Sequence, residues 1–274
     1  MFFSVAYAIK VGKGFEVLAD MPLDKFLDLL VNLGYDGIEP NIADPTKFDV
    51  RGFRKEVFDR GLKVSAISTG LSYITYGYSL SSERDDVRGK AVEFFVKYVR
   101  IAEELECDKV VVGLARGRGG EGESIEMLER SLREILSATE GSDVKILIEP
   151  LNRYETRILN DFVEARDFVV RLRREFGDRV GILFDTFHAC LEARDPYEAF
   201  TKVRDYVMYI HVADSNRRAP GDGMIDWVKL VSIIAASGYR GYLSVEALPS
   251  PTVEDTVRKA ANTLFPIVRA LGIR

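Results

Sequence analysis

Short runs rich in Val, Ile and Tyr alternate with longer stretches whose apolar residues recur at helical spacing, and the alternation continues along the whole 274-residue chain. Strand-length apolar runs separated by amphipathic helices are the pattern of βα units around a parallel sheet. Eight units can be marked. Their strands are predicted over Phe2–Ala8, Gly37–Pro40, Lys63–Ser68, Lys109–Gly113, Lys145–Glu149, Gly181–Asp185, Met208–Val212 and Tyr242–Glu246. A helix is expected after each: one opens at Pro22 and stops at Gly34, the next runs from Val50 to Gly61, with Pro and Gly at the ends that favour them. The third and longest has Val92, Phe95, Val96, Val99, Ile101 and Ala102 as its inward face. No linker or low-complexity tract interrupts the series, so the expectation is an α/β fold, a single (β/α)8 barrel over residues 1–274. A doubly wound sheet would carry a glycine-rich dinucleotide loop after the first strand, and VGKGFEV is not one. GLARGRGGEGES, after the fourth strand, lacks the GK[ST] ending of a P-loop and reads as a mobile βα loop.

The last four predicted strands run apolar and then finish on a residue able to bind a metal: Glu149, Asp185, His211 and Glu246. In a barrel the C-terminal strand ends meet at one mouth. Carboxylates gathered there would raise one another's pKa unless a cation held them ionised. One divalent metal ion is therefore the expected cofactor. Three oxygen donors and one nitrogen suit Mn2+, Co2+ or Mg2+ better than Zn2+, without excluding zinc. A lone acidic residue at a strand end is more often a helix N-cap, and Asp185 before Thr186 could be that alone. Capping does not explain why four consecutive strands end this way. The chain has only two histidines, His188 and His211, and both fall in these segments. Glu39, in GIEPN, is open between a mouth residue and an ion-pair partner for an Arg.

Charge and composition remove other classes. A net charge of -5 offers no basic footprint for a nucleic acid. Hydrophobic residues reach 47%, yet no apolar run approaches the ~20 residues of a membrane span. The opening MFFSVAYAIKVGKGFEV has no basic leader region, so a cytoplasmic protein is expected. Cys107 and Cys190 lack CxxC partners and are expected to be buried packing residues.

The segments EPLNRYET from Glu149, FDTFHACLE from Phe184, HVADSNRRAPGDGMIDW from His211 and VEALP from Val245 resemble, in order and spacing, the sugar phosphate isomerase/epimerase barrels related to xylose isomerase. Among these the chain is similar to the ketose 3-epimerases of the D-tagatose and D-psicose type, over essentially its whole length. The resemblance implies that Glu149, Asp185, His211 and Glu246 bind the metal and that Glu149 and Glu246 also transfer protons. It further implies that Glu155, His188 and Arg217 hold the oxygens at the C1 and C2 end of a sugar, and that the protein is a homodimer or homotetramer. One departure stands at VADSN, before the NR pair.

Inverting a carbon beside a ketone requires a base on one face and an acid on the other, and Glu149 and Glu246 flank Asp185 and His211 in strand order. The expected reaction is C3 epimerisation of a free keto-sugar through a cis-enediolate. An aldose-ketose or hydroxypyruvate-type isomerase would use the same groups and stays open. Apurinic-site endonucleases share the architecture but build a multi-zinc cluster from many histidines. A non-catalytic sugar-binding protein would be expected to have lost one of the two glutamates.

Overall fold

The computed structural model describes residues 1–10 and 21–273. In chain order they form β1 (Phe2–Ile9), α1 (Leu23–Leu33), β2 (Gly37–Ile42), α2 (Val50–Phe58), β3 (Lys63–Val64), α3 (Gly70–Tyr76), α4 (Asp85–Glu104), β4 (Lys109–Val112) and α5 (Ile125–Ala138). The series continues with β5 (Lys145–Ile148), α6 (Phe162–Phe176), β6 (Val180–Asp185), α7 (Thr186–Glu192), α8 (Pro196–Val203), β7 (Val207–Val212), α9 (Trp227–Ala236), β8 (Tyr242–Val245) and α10 (Val253–Ala270). The VGKGFEV segment lies outside the described residues.

The eight strands are parallel in the order β3-β2-β1-β8-β7-β6-β5-β4. The remaining gap, between β3 and β4, is closed by the chain just after β3. Ile67 N–H donates to Lys109 O at 2.9 Å and Val111 N–H to Ile67 O at 2.8 Å, while Ser68 N–H turns back to Pro40 O at 3.0 Å. The third strand is therefore shorter than the Lys63–Ser68 run predicted, because residues 65–68 divide their hydrogen bonds between two neighbours.

Local signals set the helix limits as the sequence suggests. Gly34 takes φ 82 after α1, and the N–H groups of Gly34 and Tyr35 return to Val31 O and Leu30 O at 3.0 Å each, a turn that only a residue without Cβ adopts at little cost. Asp161 Oδ1 caps α6 by accepting from Val163 and Glu164 N–H at 2.8 and 3.0 Å. In α4, Val92, Phe95, Val99, Ile101 and Ala102 are buried as expected, but Val96 is only half-buried, and Phe94 and Tyr98 are buried as well. The extra width has a cause: α4 meets aromatic rings at the end of α3 and just beyond it, with Phe94 edge-on to Tyr76 and Tyr78.

Two further expectations need correction. The glycine-rich segment after β4, expected as a mobile loop, is anchored at its start. Arg116 is fully buried and donates to the carbonyls of Gly113 (3.0 Å), Ile158 (3.1 Å), Val112 (3.3 Å) and Leu159 (3.4 Å). Burial pulls its pKa down to about 10, although Glu149 and Glu155 lie near enough to favour its charge. The glycines at 117, 119 and 122 serve positive-φ turns instead of slack. Cys190 is half-buried, not buried like Cys107; burial pushes both thiols up to about 12, which keeps them protonated.

Candidate metal centre

The alternation of side chains along the strands places the site. Val111, Leu147, Leu183 and Tyr209 point to the barrel axis and, with Ala66, pack as a small cluster inside it. Two residues further on, on the same face, stand Gly113, Glu149, Asp185 and His211. An apolar floor is thus followed by one polar layer at the mouth, completed by Glu246 at the end of β8. Gly113 is the small member for a steric reason: a Cβ there would meet Glu149 Oε2 at 2.4 Å.

Glu149, Asp185, His211 and Glu246 are all buried, and one ligand atom from each lies within 4.8 Å of the others. Measured from His211 Nδ1, Glu149 Oε1 is at 3.3 Å, Glu246 Oε2 at 3.4 Å and Asp185 Oδ2 at 3.7 Å. Among the described residues, the buried side-chain nitrogen or oxygen atoms with no hydrogen-bond partner are Glu149 Oε1, Asp185 Oδ2 and His211 Nδ1. An orphaned buried polar atom costs about 1–3 kcal/mol, and more when charged. Three of them converging on one point is the donor set of a divalent cation, and these residues fit one.

Asp185 is a helix cap with one oxygen and leaves the other free for a cation. Its Oδ1 accepts from Phe187 N–H at 2.7 Å and His188 N–H at 3.1 Å, capping α7, while Oδ2 faces the centre. The environment separates the acids. Burial outweighs the nearby His211 and holds the Glu149 carboxyl above its usual range. Asp185 and Glu246 are buried too, but His188, His211 and Arg217 hold Asp185 below the usual range, and His211 and Arg217 do the same for Glu246. His211 is raised well above an ordinary imidazole: burial opposes its charge, and Glu39, Glu246, Asp185 and Glu149 overcome that.

Glu39 is in the barrel and fully buried, and its partners are not arginines. Its carboxylate accepts from Ser68 Oγ, Ser244 Oγ (2.6 Å), Tyr209 OH (3.0 Å) and His211 Nε2 (2.9 Å).

The three sequence-predicted substrate residues stand above this layer. Asn152 donates to His188 Nδ1 from both its backbone N–H (3.3 Å) and its side-chain amide (2.8 Å), which leaves the imidazole proton on Nε2. That N–H and Arg217 Nη1 are two donors 3.4 Å apart, converging on a place for an acceptor. Arg217 also donates to Glu246 Oε2 at 2.9 Å and lies 4.7 Å over the Phe187 ring. Glu155, half-buried, accepts from the Asn152 amide at 2.9 Å. Sequence reasoning missed Asn152, although it stands inside EPLNRYE, and missed Asp214. Asp214 is buried and folds the loop after β7 by accepting from Gly221 N–H (2.8 Å), Ile225 N–H (3.1 Å) and the Trp227 indole (2.8 Å). The same loop holds Arg217 at φ 59, a conformation that costs a non-glycine residue about 1–3 kcal/mol and concentrates at functional sites.

The family model described as xylose isomerase-like TIM barrel matches residues 27–265. The chain belongs to the xylose isomerase-like TIM barrel family. Within reach of this family member are the L-ribulose 3-epimerase of Mesorhizobium japonicum, 28% identical over 246 residues covering 88% of this chain and 80% of the relative. The D-psicose 3-epimerase of Enterocloster bolteae is 28% identical over 236 residues, 81% of this chain and 75% of that protein. The solved 3-keto-D-glucoside 4-epimerase of E. coli superposes with a TM-score of 0.78 over 98% of this chain and 100% of its own, at 19% identity, a likeness of fold. No helix among the described residues is long and apolar enough to cross a membrane.

Proposed function

We propose that the protein is a divalent-metal-dependent ketose 3-epimerase acting on a free keto-sugar, with Glu149, Asp185, His211 and Glu246 holding the cation. The carrying observation is geometric: two buried glutamates reach one centre from the ends of β5 and β8, with Asp185 and His211 between them in strand order and a ligand atom of each within 4.8 Å of the others. Two carboxyls brought to one reacting centre from separate strands are the arrangement of a general acid and a general base. A bound divalent ion, with Mn2+ or Co2+ the first choices for this donor set, supplies Lewis-acid stabilisation of negative charge developing on the sugar oxygens.

The chain's own residues account for the rest. Glu246 as carboxylate takes the proton from C3; the C3–H electron pair moves into the C2–C3 bond and the carbonyl electrons move onto O2, giving an enediolate. Glu149 in its acid form then delivers a proton to the opposite face of C3, and the carbonyl re-forms. In the reverse direction the two glutamates exchange roles. His188 Nε2–H and Arg217 offer paired donors to the oxygens at the C1 and C2 end, and Glu155 offers an acceptor to a hydroxyl. The site wall also contains Asn41, Thr69, Ile74, Leu114 and Leu151. Arg217 is the one cation among the described lining residues, and Glu246 already pairs with it. That supports an unphosphorylated substrate.

The test uses metal-stripped protein with and without Mn2+ or Co2+, a panel of free ketoses, aldoses and 3-keto-glycosides, and D2O, read by NMR. Metal-dependent deuterium at C3 of a ketose, with inversion, supports the proposal. Deuterium at C1 or C2 with aldose formation replaces it with an isomerase, label at C4 of a keto-glycoside with a 4-epimerase. No exchange on any sugar overturns proton transfer.

A further inference from the structure

We infer that Glu39 is a positioning residue for the metal centre: it fixes the ring of His211 with Nδ1 toward the cation, and is itself held by a buried relay of hydroxyl groups that runs down inside the barrel. The inference rests on the metal reading of the site and assigns a part to a residue that touches neither cation nor sugar.

The geometry runs as a continuous chain. His211 presents its two ring nitrogens to different neighbours. Nδ1 faces Glu149, Asp185 and Glu246 and has no hydrogen-bond partner. Nε2 lies 2.9 and 3.1 Å from the two Glu39 oxygens, which can only accept. Nε2 must therefore carry a proton in either charge state, which makes Nδ1 the nitrogen whose lone pair is offered to a cation once the ring is neutral. An imidazole that donates its far N–H to a carboxylate is fixed in tautomer and rotation and becomes a stronger donor to a metal.

Glu39 is fixed in turn from every side. Ser68 Oγ donates to one oxygen; Ser244 Oγ at 2.6 Å and Tyr209 OH at 3.0 Å donate to the other. The Tyr209 hydroxyl is itself met by Ser65 Oγ at 2.6 Å and Ser4 Oγ at 3.1 Å. Each of these side chains is buried. Four donors fill the carboxylate, so the acid has no freedom to swing toward the centre and act as a fifth ligand. A buried carboxylate costs stability unless its hydrogen bonds are complete, and three segments, the chain after β3, β7 and β8, supply the donors that complete this one. An ordinary packing role would be met by an apolar residue of similar size at far lower cost.

The experiment titrates Mn2+ alone into metal-stripped protein and follows free Mn2+ by EPR, for the wild type, Glu39→Gln, Glu39→Leu and Tyr209→Phe. Loss of an outer partner of a metal-bound histidine weakens affinity about 10–100-fold, which is the expectation for Glu39→Gln and Glu39→Leu. Tyr209→Phe leaves the His211 contact intact and is expected to weaken binding only a few-fold. A second readout does not depend on affinity. With 15N-labelled protein loaded with Zn2+, the two histidines give two ring spin systems, and His211 is expected as the Nε2–H form in the wild type, with that proton lost to rapid solvent exchange in Glu39→Leu. If the Glu39 variants are less stable yet bind Mn2+ as tightly as the wild type and keep the Nε2–H signal, Glu39 is only a structural residue and the inference is overturned. Should both Glu39 variants fail to fold, Tyr209→Phe and Ser244→Ala decide by the same measurements, unchanged Mn2+ affinity in both refuting the relay. Wild-type protein that takes up no Mn2+ removes the metal reading and the inference together, whereas binding by the wild type with no loss in the variants removes the inference alone.

Discussion

The two halves of the barrel mouth are built from different chemistry. From β5 to β8 every strand has an ionisable group at or next to its C-terminal end, and those four groups meet within 4.8 Å. From β1 to β4 the residues that line the same mouth include Asn41, Ser68 and Gly113, with Glu39 as the single buried acid inside the barrel, and that acid is filled by donors. One half gathers the candidate ligands; the other supplies space and the Glu39 carboxylate that meets His211 Nε2, with hydroxyl groups from both halves filling that carboxylate. The difference shows that a charged cluster in a barrel is defined as much by the strands that withhold charge as by those that deliver it, since one more free carboxylate would add repulsion that a single cation does not offset.

That division can be attacked at several points. Glu246→Gln keeps an oxygen in the layer but removes the base, so turnover is expected to fall by about 10²–10⁴-fold, and deuterium incorporation at the reacting carbon, read by NMR in D2O, should stop with it. Gly113→Ala puts a methyl group where the ligand-free half supplies space, 2.4 Å from Glu149 Oε2. Displacing a catalytic group by about 1 Å can cost about 10²-fold. We expect kcat to drop by roughly that factor with circular dichroism unchanged, and wild-type kcat would show that the carboxylate relocates without penalty.

A third prediction concerns pH. His211 in the metal-free protein has a raised pKa, and a cation can bind Nδ1 only after the proton has left. Mn2+ affinity is therefore expected to climb by about tenfold per pH unit below that raised value, measurable by EPR titration between pH 6 and 8. Stability moves oppositely in the metal-free protein. The imidazole's contribution is fully present below its unfolded pKa and is lost as pH rises through its folded pKa, so the stabilisation gained on adding Mn2+ should widen with pH. The smallest effect lies outside the mouth. Asp161→Ala removes the α6 cap and is expected to cost about 1 kcal/mol, seen as a melting shift of about 2–4 °C, with Mn2+ affinity untouched.

Much of this was written in the sequence because strands carry side chains in period two. A polar residue ending an apolar run on four neighbouring strands can have only one common destination in a barrel, and Glu149, Asp185, His211 and Glu246 arrive there. Glu39 was legible as a strand residue but not as a support, because its partners Ser68, Tyr209 and Ser244 come from distant segments and share no local pattern. Arg116 was hidden for a related reason. Carbonyl oxygens bind it, and backbone leaves no mark in residue identity, so glycine content alone suggested slack. Asn152 and Asp214 act through turns whose geometry depends on what the neighbouring loops present to them. The helix face of α4 was underestimated because its second set of neighbours, Tyr76 at the end of α3 and Tyr78 just after it, belongs to a short segment that the periodicity of α4 does not reach.

The divided carboxylate of Asp185 ties two events that would otherwise be separate. One oxygen fastens the amides of Phe187 and His188, and the other looks into the centre. Those amides open α7, whose His188 side chain receives the Asn152 hydrogen bonds, and Asn152 in turn holds Glu155. Any pull on the inner oxygen is therefore transmitted along a helix end to the groups that would grip the sugar. The exchange rates of two backbone amides become a gauge of whether the centre is loaded, and a protein without its cation should be loose first at the rim.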